Sequence, residues 1–304
     1  MKENKPALIK RMLFATDFSS CAEHAENYVA FLAKAYSAAV HVVHVLEIYE
    51  GMYVTTVQGH READQRVAEV VRRLQPFAAL VTHQEDAGIP DVRICELATE
   101  THPDVIVLGT HGRTGLRHIL LGSTAERVLT MAPCPVLTIK EPKGVEGQPK
   151  RVPITFSHVV VPIDFSGCSM DALEYGIQIA KDFGASLTLL HVLEPVSSGI
   201  ALTFKHAGER DPERLASQLG LIAGTIRSQG LSVRELIRGG PPADSIVEFV
   251  QTAGCDLIAM GTHGRRGISR VVKGSVAEAV LRRASCPIIA VKTSKLSGHQ
   301  RVVR

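Results

Sequence analysis

The chain contains one glycine-rich pattern twice, and its residue types suit phosphate binding. In each copy two residues separate the first glycine from the second, and nine separate the second from a third that precedes a serine. Glycines let backbone N–H groups approach an anion, and a helix beginning at the last glycine would direct its unpaired N–H groups toward it. Arg113 or Arg265 would add positive charge. The pattern comprises Gly109, Gly112, Gly122 and Ser123 in the first copy and Gly261, Gly264, Gly274 and Ser275 in the second.

The spacing excludes two common nucleotide-binding loops. No Gly-Lys-Ser/Thr follows, as a P-loop requires, and no G-x-G-x-x-G follows the first predicted strand, as a dinucleotide-binding fold requires. Asp17 and Asp164, which end that strand in each copy, would either accept hydrogen bonds from a ribose or hold a metal. The alternative interpretation is that the motif binds no ligand. In that case the glycines serve as turn and helix-cap residues, and Asp17 serves as an N-terminal cap.

Four histidines lie near these motifs, and none is assigned to catalysis. His111 and His263 lie within the glycine loops, but no aligned nucleophile or second acid accompanies them. His44 and His191 end an apolar strand, where a buried imidazole is usually hydrogen-bonded. We therefore predict that the second pair is structural.

The chain is a tandem duplication. The segment beginning at Thr16 realigns with the segment beginning at Ile163, which places Asp17 on Asp164 and His44 on His191. Repeats this long are whole domains, because solenoid repeats run to about 20–50 residues. We predict domains at 1–147 and 153–304, with the boundary in EPKGVEGQPKRVPITF, which is rich in proline, glycine and charge.

The elements that position these residues alternate between apolar strands and amphipathic helices. Each copy is predicted to be a doubly wound α/β domain with a parallel five-stranded sheet flanked by helices, a Rossmann-like or adenine nucleotide alpha hydrolase-like fold. Ser20 and Glu23 form a predicted capping box at the first helix. Ligands of such sheets bind at the carboxyl ends of the strands, where Asp17, the His44-Val45 pair and the glycine loop would converge.

Composition restricts the class of protein. The 304 residues are 45% hydrophobic, and the net charge of +3 comes from interspersed charges of both signs. This pattern indicates no nucleic-acid footprint, and no apolar run reaches the roughly 20 residues of a membrane span. The six cysteines include no C-x-x-C pair, which is typical of reduced thiols in a cytoplasmic protein. We expect a cytoplasmic protein without membrane or nucleic-acid partners.

The motifs TDFS, HVLE and CPVLTIK, together with the glycine pattern, resemble the universal stress protein family over nearly all of both halves. The resemblance implies, for the ATP-binding branch, that the first-strand aspartate and its neighbours contact adenosine. The residue after the second-strand histidine would contact adenine through its backbone, and the glycine loop would hold the phosphates. The residues so implied are Ala15, Thr16, Asp17, Val45, Gly109, Gly112, Arg113, Gly122, Ser123 and Thr124, with Pro162, Asp164, Val192, Gly261, Gly264, Arg265, Gly274, Ser275 and Val276 in the second copy.

Two positions depart from the family pattern. Ala15 stands where the family often has proline, which the second copy keeps as Pro162, and Ile163 replaces the usual small polar residue before Asp164. We therefore expect the second copy to bind more weakly or differently.

Three functions stay open at this point. We favour a nucleotide-binding stress or signalling module in which ATP, with or without Mg²⁺, shifts conformation or partner affinity. The alternatives are a slow ATPase or nucleotidyl-transfer enzyme and a scaffold without nucleotide. The final strands CPVLTIK and CPIIAVK are expected to pair the two domains, and a homodimer is a further expectation.

Overall fold

The computed structural model describes residues 7–49, 52–53, 57–110, 121–141, 154–194, 211–262 and 276–292. Backbone contacts divide the chain into two compact units. Unit 1 comprises residues 1–154 with residues 287–290, and unit 2 comprises residues 155–286 with residues 291–304.

Strands and helices alternate along both repeats, as the sequence predicts. The first repeat contains β1 (Arg11–Ala15), α1 (Ser20–Tyr36), β2 (Ala39–Tyr49), β3 (Met52–Tyr53), α2 (Val57–Leu74), β4 (Leu80–Gly88), α3 (Pro90–Thr101), β5 (Val105–Gly109), α4 (Ser123–Met131) and β6 (Val136–Ile139). The second contains β7 (His158–Pro162), α5 (Gly167–Phe183), β8 (Ser186–Leu193), α6 (Pro212–Arg227), β9 (Val233–Gly239), α7 (Pro242–Ala253), β10 (Leu257–Gly261), α8 (Val276–Arg283) and β11 (Ile288–Val291).

The sheet of unit 1 has five parallel strands in the order β4-β2-β1-β5-β6, and the two-residue β3 pairs antiparallel with the end of β2. Residues 288–290 of β11 complete this unit, antiparallel to β6, with Ile289 opposite Leu137. In unit 2 the parallel order is β9-β8-β7-β10. The predicted doubly wound α/β fold is confirmed.

Apolar strand residues form the core of each unit. Met12, Leu13 and Phe14 of β1 are buried, as are the apolar residues of β5 and β10. Strands buried on both faces follow from helices that cover both sides of a parallel sheet. On α1, helical spacing predicts one apolar face of Ala25, Tyr28, Val29 and Leu32, of which Tyr28 is half-buried and the other three are buried.

One aspartate in each unit fixes the amino end of the central strand. The Asp104 Oδ2 atom accepts hydrogen bonds from the backbone N–H groups of Lys10 and Arg11 at 2.7 and 2.8 Å. In unit 2 the Asp256 Oδ2 atom accepts from Ser157 N at 2.7 Å and from Ser157 Oγ at 2.6 Å. Because both aspartates lie in the turn before the neighbouring strand, they fix the alignment of the two strands that later present the site.

The predicted capping box at α1 is wrong by one residue. Ser19 has extended backbone (φ −72°, ψ 163°), and its Oγ accepts from Ala22 N at 3.2 Å. Ser20 is already helical, and its hydroxyl donates to Glu141 Oε2 at 3.0 Å. A helix N-cap must be non-helical while its side chain reaches back to the first turn, and Ser19 meets both conditions.

The second helix also ends earlier than its pattern indicates. The segment READQRVAEVVRRLQPFAAL predicts a helix over residues 61–80, whereas α2 ends at Leu74 and Leu80 begins β4. Pro76 explains the difference, because the residue before a proline is disfavoured in helical conformation. No helix in the described part of the chain has both the length and the apolar character needed to cross a membrane.

Candidate functional site

The carboxyl ends of three adjacent strands form the edge at which the site lies. Ala15, the last residue of β1, is opposite Val43 of β2 on one side and Leu108 of β5 on the other. The chain leaves β1 toward β2 through α1, so the topological switch point lies between β1 and β5. Ligands of doubly wound sheets bind at this point.

A tight turn follows β1 and uses the polar side chains that the sequence singled out. The Thr16 Oγ1 atom accepts a hydrogen bond from Phe18 N at 3.1 Å. The Asp17 Oδ1 atom accepts from the backbone N–H of Ser19 at 3.0 Å and from its hydroxyl at 2.7 Å. Asp17 therefore orients the N-cap of α1. It is not itself the cap, so the interpretation of Asp17 as an N-terminal cap is wrong.

The second repeat builds the same turn. The Asp164 Oδ1 atom accepts from Ser166 N at 3.0 Å and from Ser166 Oγ at 2.6 Å, and Ser166 caps α5 by accepting from Ser169 N. The turn thus survives the replacement of the threonine by Ile163, which is buried. The aspartate and the cap serine alone suffice to form it.

The residue after each aspartate has a left-handed backbone conformation. Phe18 has φ 61° and Phe165 has φ 60°. This region is rare for bulky side chains and is strained. Phe18 is buried, its ring centroid lies 4.3 Å from that of His44, and Arg66 of α2 also contacts it. Arg66 Nη2 donates to the Phe18 carbonyl at 2.9 Å, and its guanidinium lies 4.4 Å from the ring centroid.

His44 and His191 are structural, as predicted, but neither ends its strand, because His44 lies within β2 and His191 within β8. His44 Nδ1 lies 2.7 Å from the carbonyl oxygen of Thr16, and His191 Nδ1 lies 2.6 Å from that of Ile163. A carbonyl only accepts, so Nδ1 carries the proton in both rings. Both side chains are buried and connect the second strand of each unit to the turn after the first.

The backbone of Val45 is directed into the space beyond the end of β1. Thr16 N donates to the Val43 carbonyl at 3.0 Å, so the polar groups of Val43 face β1. N–H and C=O groups of one strand residue point to the same side and alternate along the strand. The N–H and C=O of Val45 therefore also face the β1 side, where β1 has already ended at Ala15.

Unit 2 repeats this arrangement. Ile163 N donates to the Leu190 carbonyl at 2.8 Å, and the Leu193 carbonyl faces the opposite side, where it accepts from Gly240 N at 3.0 Å. Alternation then directs the N–H and C=O of Val192 past the end of β7. Each unit thus presents one backbone N–H donor and one backbone C=O acceptor at the carboxyl edge of its sheet.

The first glycine of the pattern is required by packing. A Cβ atom on Gly109 would lie 3.0 Å from Cys21 Sγ and 3.1 Å from Ala22 N, at the start of α1. On Gly261 it would lie 2.8 Å from the carbonyl carbon of Cys168. These two glycines let the first helix pack directly against the end of a strand, so their presence has a cause that is independent of any ligand.

The third glycine of the first copy precedes a helix that no side chain caps. Gly122 N donates to the Thr110 carbonyl at 2.7 Å, which holds the start of α4 at the carboxyl end of β5. Its φ of −60° and ψ of 143° are open to any residue, so backbone conformation does not require glycine here. The first-turn N–H groups of α4, with their positive dipole end, lie at the same edge of the sheet as Asp17.

A small cavity of about 130 Å³ adjoins the turn between α1 and α2. It is lined by Thr16, Phe18, Glu23, Glu26, Arg66, Glu69, Val70 and Arg73. Small-molecule pockets usually measure roughly 300–1,000 Å³, so this cavity is too small for a nucleotide. Among the described residues, no three metal-ligating side chains come together.

Comparison with known proteins agrees with this architecture. The sequence signature of the Universal stress protein family matches residues 8–140 and again residues 155–292. The chain belongs to the universal stress protein family. A universal stress protein of Methanocaldococcus jannaschii is 34% identical over 144 residues. The match covers 46% of this chain and 84% of the relative's sequence.

Two further members of the family match nearly the whole chain. A universal stress protein of Synechocystis is 25% identical over 93% of this chain and 100% of its own. The crystal structure of a universal stress protein from Archaeoglobus fulgidus covers 93% of this chain and 98% of its own, with a TM-score of 0.73 and 23% identity. Each of these two proteins thus matches a span of this chain that includes both repeats, and the solved structure shares its fold.

The structure brings part of the predicted site together. The residues that lie at the carboxyl edge of their own unit are Ala15, Thr16, Asp17, Val45, Gly109, Gly122, Ser123 and Thr124 in unit 1 and Pro162, Asp164, Val192 and Gly261 in unit 2. Val276 begins α8. Gly112, Arg113, Gly264, Arg265, Gly274 and Ser275 lie outside the described residues, as do His111 and His263.

Two residues at this edge were missed by the sequence analysis. Phe18 lies within the repeated motif DFS, and its recurrence in both copies was the available signal. Arg66 carries no such signal, because α2 has an ordinary amphipathic pattern. Only the packing of α2 reveals its contact with the turn.

Proposed function

We propose that this universal stress protein binds an adenine nucleotide, ATP, at the carboxyl strand edge of each repeat. It acts in stress response or signalling as a conformational or partner switch that the nucleotide controls. The observation that carries this proposal is the direction of the Val45 N–H and C=O, which point past the end of β1 beside Asp17.

The base position fits adenine. Adenine offers a ring-nitrogen acceptor beside an exocyclic amino donor, and one residue's N–H and C=O form the complementary pair. Val45 in unit 1 and Val192 in unit 2 supply this pair from the backbone, so the contact does not depend on their side chains. The ribose would then lie at Asp17 or Asp164, whose carboxylates the turn serines orient.

The phosphate position fits the start of α4. The uncapped first turn would bind anions through its N–H groups, and Ser123 and Thr124 would add hydroxyl donors. Because Gly122 does not need to be glycine for conformation, the lack of a side chain there would serve close approach of the phosphates. The resemblance to the family implies that Gly112 and Arg113, with Gly264 and Arg265 in the second copy, would complete this cradle.

We also propose that both repeats retain their sites. The Thr16 hydroxyl, which Ile163 lacks, accepts a bond inside the turn, so its loss does not by itself remove a nucleotide contact. Pro162 ends β7 as Ala15 ends β1. Turnover would be slow or absent, because phosphoryl transfer depends on positioned charges such as a P-loop lysine, which this sequence lacks.

Pairing of the two repeats belongs to the same proposal. The final strands CPVLTIK and CPIIAVK are apolar and belong to one chain, so their high effective concentration favours such pairing. Homodimerisation of the full chain, in the cytoplasm, would extend the same kind of contact. Size-exclusion chromatography with light scattering measures homodimerisation, and a chain that is monomeric at all concentrations would contradict it.

The decisive experiment is calorimetry of the full chain with ATP and Mg²⁺, together with anion-exchange analysis of nucleotide released from the purified protein. We expect calorimetry to find up to two ATP sites per chain and the anion-exchange analysis to find ATP released from the purified protein. Released ADP or AMP with rapid hydrolysis would favour the enzyme, and no nucleotide in either assay would favour the scaffold. One solved universal stress protein is a complex with cAMP, so cAMP is the second ligand to titrate.

A further inference from the structure

One arginine of α2 contacts the strained residue after Asp17 at two points. The Arg66 Nη2 atom donates to the Phe18 carbonyl at 2.9 Å, and the guanidinium carbon lies 4.4 Å from the centroid of the Phe18 ring. A guanidinium is planar and carries several N–H groups, so it can lie over a ring and donate to a carbonyl at the same time. The contact therefore holds both the side chain and the backbone of Phe18.

Side chains hold three consecutive peptide groups of the turn that contains Asp17. In the first group, the Thr16 carbonyl accepts from His44 Nδ1 at 2.7 Å. In the second, the Phe18 N–H donates to the Thr16 hydroxyl at 3.1 Å. In the third, the Phe18 carbonyl accepts from Arg66. Because His44 belongs to β2 and Arg66 to α2, these two side chains connect the turn to the rest of unit 1.

The conformation of Phe18 determines how the Asp17 carboxylate is held. Phe18 has φ 61°, which is strained for a bulky residue, and with this conformation the N and Oγ atoms of Ser19 lie 3.0 and 2.7 Å from Asp17 Oδ1. Packing leaves the turn space to relax, because the cavity of about 130 Å³ borders Thr16 and Phe18. A directional contact, such as that of Arg66, therefore stabilises the strained conformation.

A second arginine docks the same helix through a different partner. Arg73, two turns after Arg66, donates to both carboxylate oxygens of Glu26 in α1 at 2.6 and 2.8 Å. Apolar residues of α2 such as Leu74 are also buried. Docking of α2 thus has contacts of its own, and the contact of Arg66 with Phe18 can be tested separately from it.

The second repeat has an uncharged residue at the position of Arg66. The buried positions of α2 recur in α6, where Ala63, Val67 and Leu74 correspond to Leu215, Leu219 and Ile226. This alignment places the exposed Gln218 at the position of Arg66. Glutamine has no charge to place over a ring, and Phe165 is half-buried, whereas Phe18 is buried. The two repeats therefore differ at the position that supports the turn in unit 1.

We infer that Arg66 is a positioning residue of the nucleotide site in unit 1. It holds Phe18 in the left-handed conformation and thereby keeps the Asp17 carboxylate oriented for the ribose. A site that adopts its binding conformation only part of the time binds its ligand more weakly in proportion to that fraction. Loss of Arg66 therefore weakens binding in unit 1 but not in unit 2. The part concerning nucleotide rests on the proposed function, whereas the support of the turn does not.

Hydrogen exchange of the full chain, followed by NMR, tests the support of the turn without nucleotide. The reporters are the backbone amides of Ser19 and Ser166, which donate to Asp17 and Asp164. In Arg66→Gln, protection of the Ser19 amide is expected to fall about three- to tenfold, while protection of the Ser166 amide stays constant. Arg66→Lys keeps the charge and a donor but not the planar stack, so it should restore part of the protection.

Two further variants of α2 are matched controls. Arg72→Gln removes the same charge from an exposed position, and Arg73→Gln breaks the ion pair with Glu26. Both should leave the Ser19 amide as protected as in the parent, because the contact with the turn remains. Unchanged protection of Ser19 in Arg66→Gln would overturn the inference. An equal loss in Arg73→Gln would also overturn it, since the effect would then belong to docking of the helix.

ATP titrations measure the effect on each site separately. The proposed phosphate position predicts that Gly274→Val leaves only the first site of the full chain and that Gly122→Val leaves only the second. Adding Arg66→Gln should raise the dissociation constant for ATP about three- to tenfold in the Gly274→Val chain. The same addition should leave the dissociation constant unchanged in the Gly122→Val chain.

The outcomes distinguish this inference from the proposed function. If the Ser19 amide loses protection in Arg66→Gln but the parent binds no ATP, the support of the turn stands and the proposed function fails. If the first site binds ATP equally well with and without Arg66, the positioning role is wrong. An equal loss of affinity at both sites would also contradict that role, because the effect would not be confined to unit 1.

Discussion

Gly109 at the end of β5 lies directly against Cys21 in the first turn of α1. The Cys21 Sγ atom donates to the Ile139 carbonyl at 3.3 Å, which fixes the sulfur in place. In unit 2, Gly261 has the same relationship to Cys168, whose Sγ donates to the Val291 carbonyl at 3.0 Å. One steric constraint thus explains a glycine and a cysteine that recur in both copies of the sequence.

Substitution of either glycine should therefore destabilise the fold regardless of nucleotide. We expect Gly109→Ala and Gly261→Ala each to lower the free energy of unfolding by about 1–3 kcal/mol, because the new methyl group has no space. Gly261→Ala should cost more, since its nearest neighbour at 2.8 Å is backbone, which cannot rotate away. Urea denaturation without nucleotide measures the change.

Gly224 in α6 is the matched control for this prediction. A Cβ there would meet nothing within 4 Å. Gly224→Ala should stabilise the chain by roughly 0.5–1 kcal/mol, since alanine is the better helix former. If Gly109→Ala is as harmless as Gly224→Ala, the close packing described here is wrong.

Capping of α1 should depend on Ser19. We expect Ser19→Ala to cost about 1 kcal/mol of stability, because Ala22 N loses its partner and Asp17 loses the hydroxyl that orients it. Ser20→Ala removes only an exposed hydrogen bond to Glu141 and should change stability by less than about 0.5 kcal/mol. The denaturation midpoints of the two variants, measured under the same conditions, show which serine caps α1. A larger loss of stability in Ser20→Ala than in Ser19→Ala would mean that Ser20 is the cap.

Nucleotide binding should be lost when the third glycine acquires a side chain. The backbone of Gly122 accepts any residue, so Gly122→Val should leave the fold intact and block phosphate at the start of α4. Calorimetry should then find one ATP site fewer per chain. Gly274→Val is the corresponding change in the second copy, and the double variant should bind no ATP.

Thermal melts supply the control for that prediction. ATP raises the melting temperature of a protein whose native state binds it, and the double variant should lose this shift while keeping its own melting temperature close to that of the parent. ATP binding by the folded double variant at the affinity of the parent would mean that the nucleotide lies elsewhere.

Cys255 should resist alkylation in the folded chain. Its thiol is buried and lies 3.7 Å from His158 Nδ1, and burial together with the Asp256 carboxylate raises its pKa to about 12. Alkylation requires the thiolate, so N-ethylmaleimide at about pH 8 should leave Cys255 unmodified. Cys134, the one half-buried cysteine, should react first, and mass spectrometry of native and urea-unfolded samples identifies the order.

Much of the architecture follows from the sequence because the signals are local and repeated. Apolar strands, amphipathic helices and a duplicated pattern predict two doubly wound α/β domains. The Gly-x-Pro turn that ends at Pro90 likewise predicts a helix beginning at Pro90, where α3 begins. The predicted structural role of His44 also follows locally, since a buried polar group on an apolar strand must find a partner. The position of Asp17 at the strand edge follows from the fold class itself.

Other features required the tertiary structure, because they join residues that are distant in sequence. Ser19 and Ser20 are equivalent by propensity, and only the chain direction after β1 selects the cap. The contact of Arg66 with Phe18 depends on how α2 packs against the sheet. Sequence patterns encode which face of a helix is buried, whereas packing decides which polar groups meet across it.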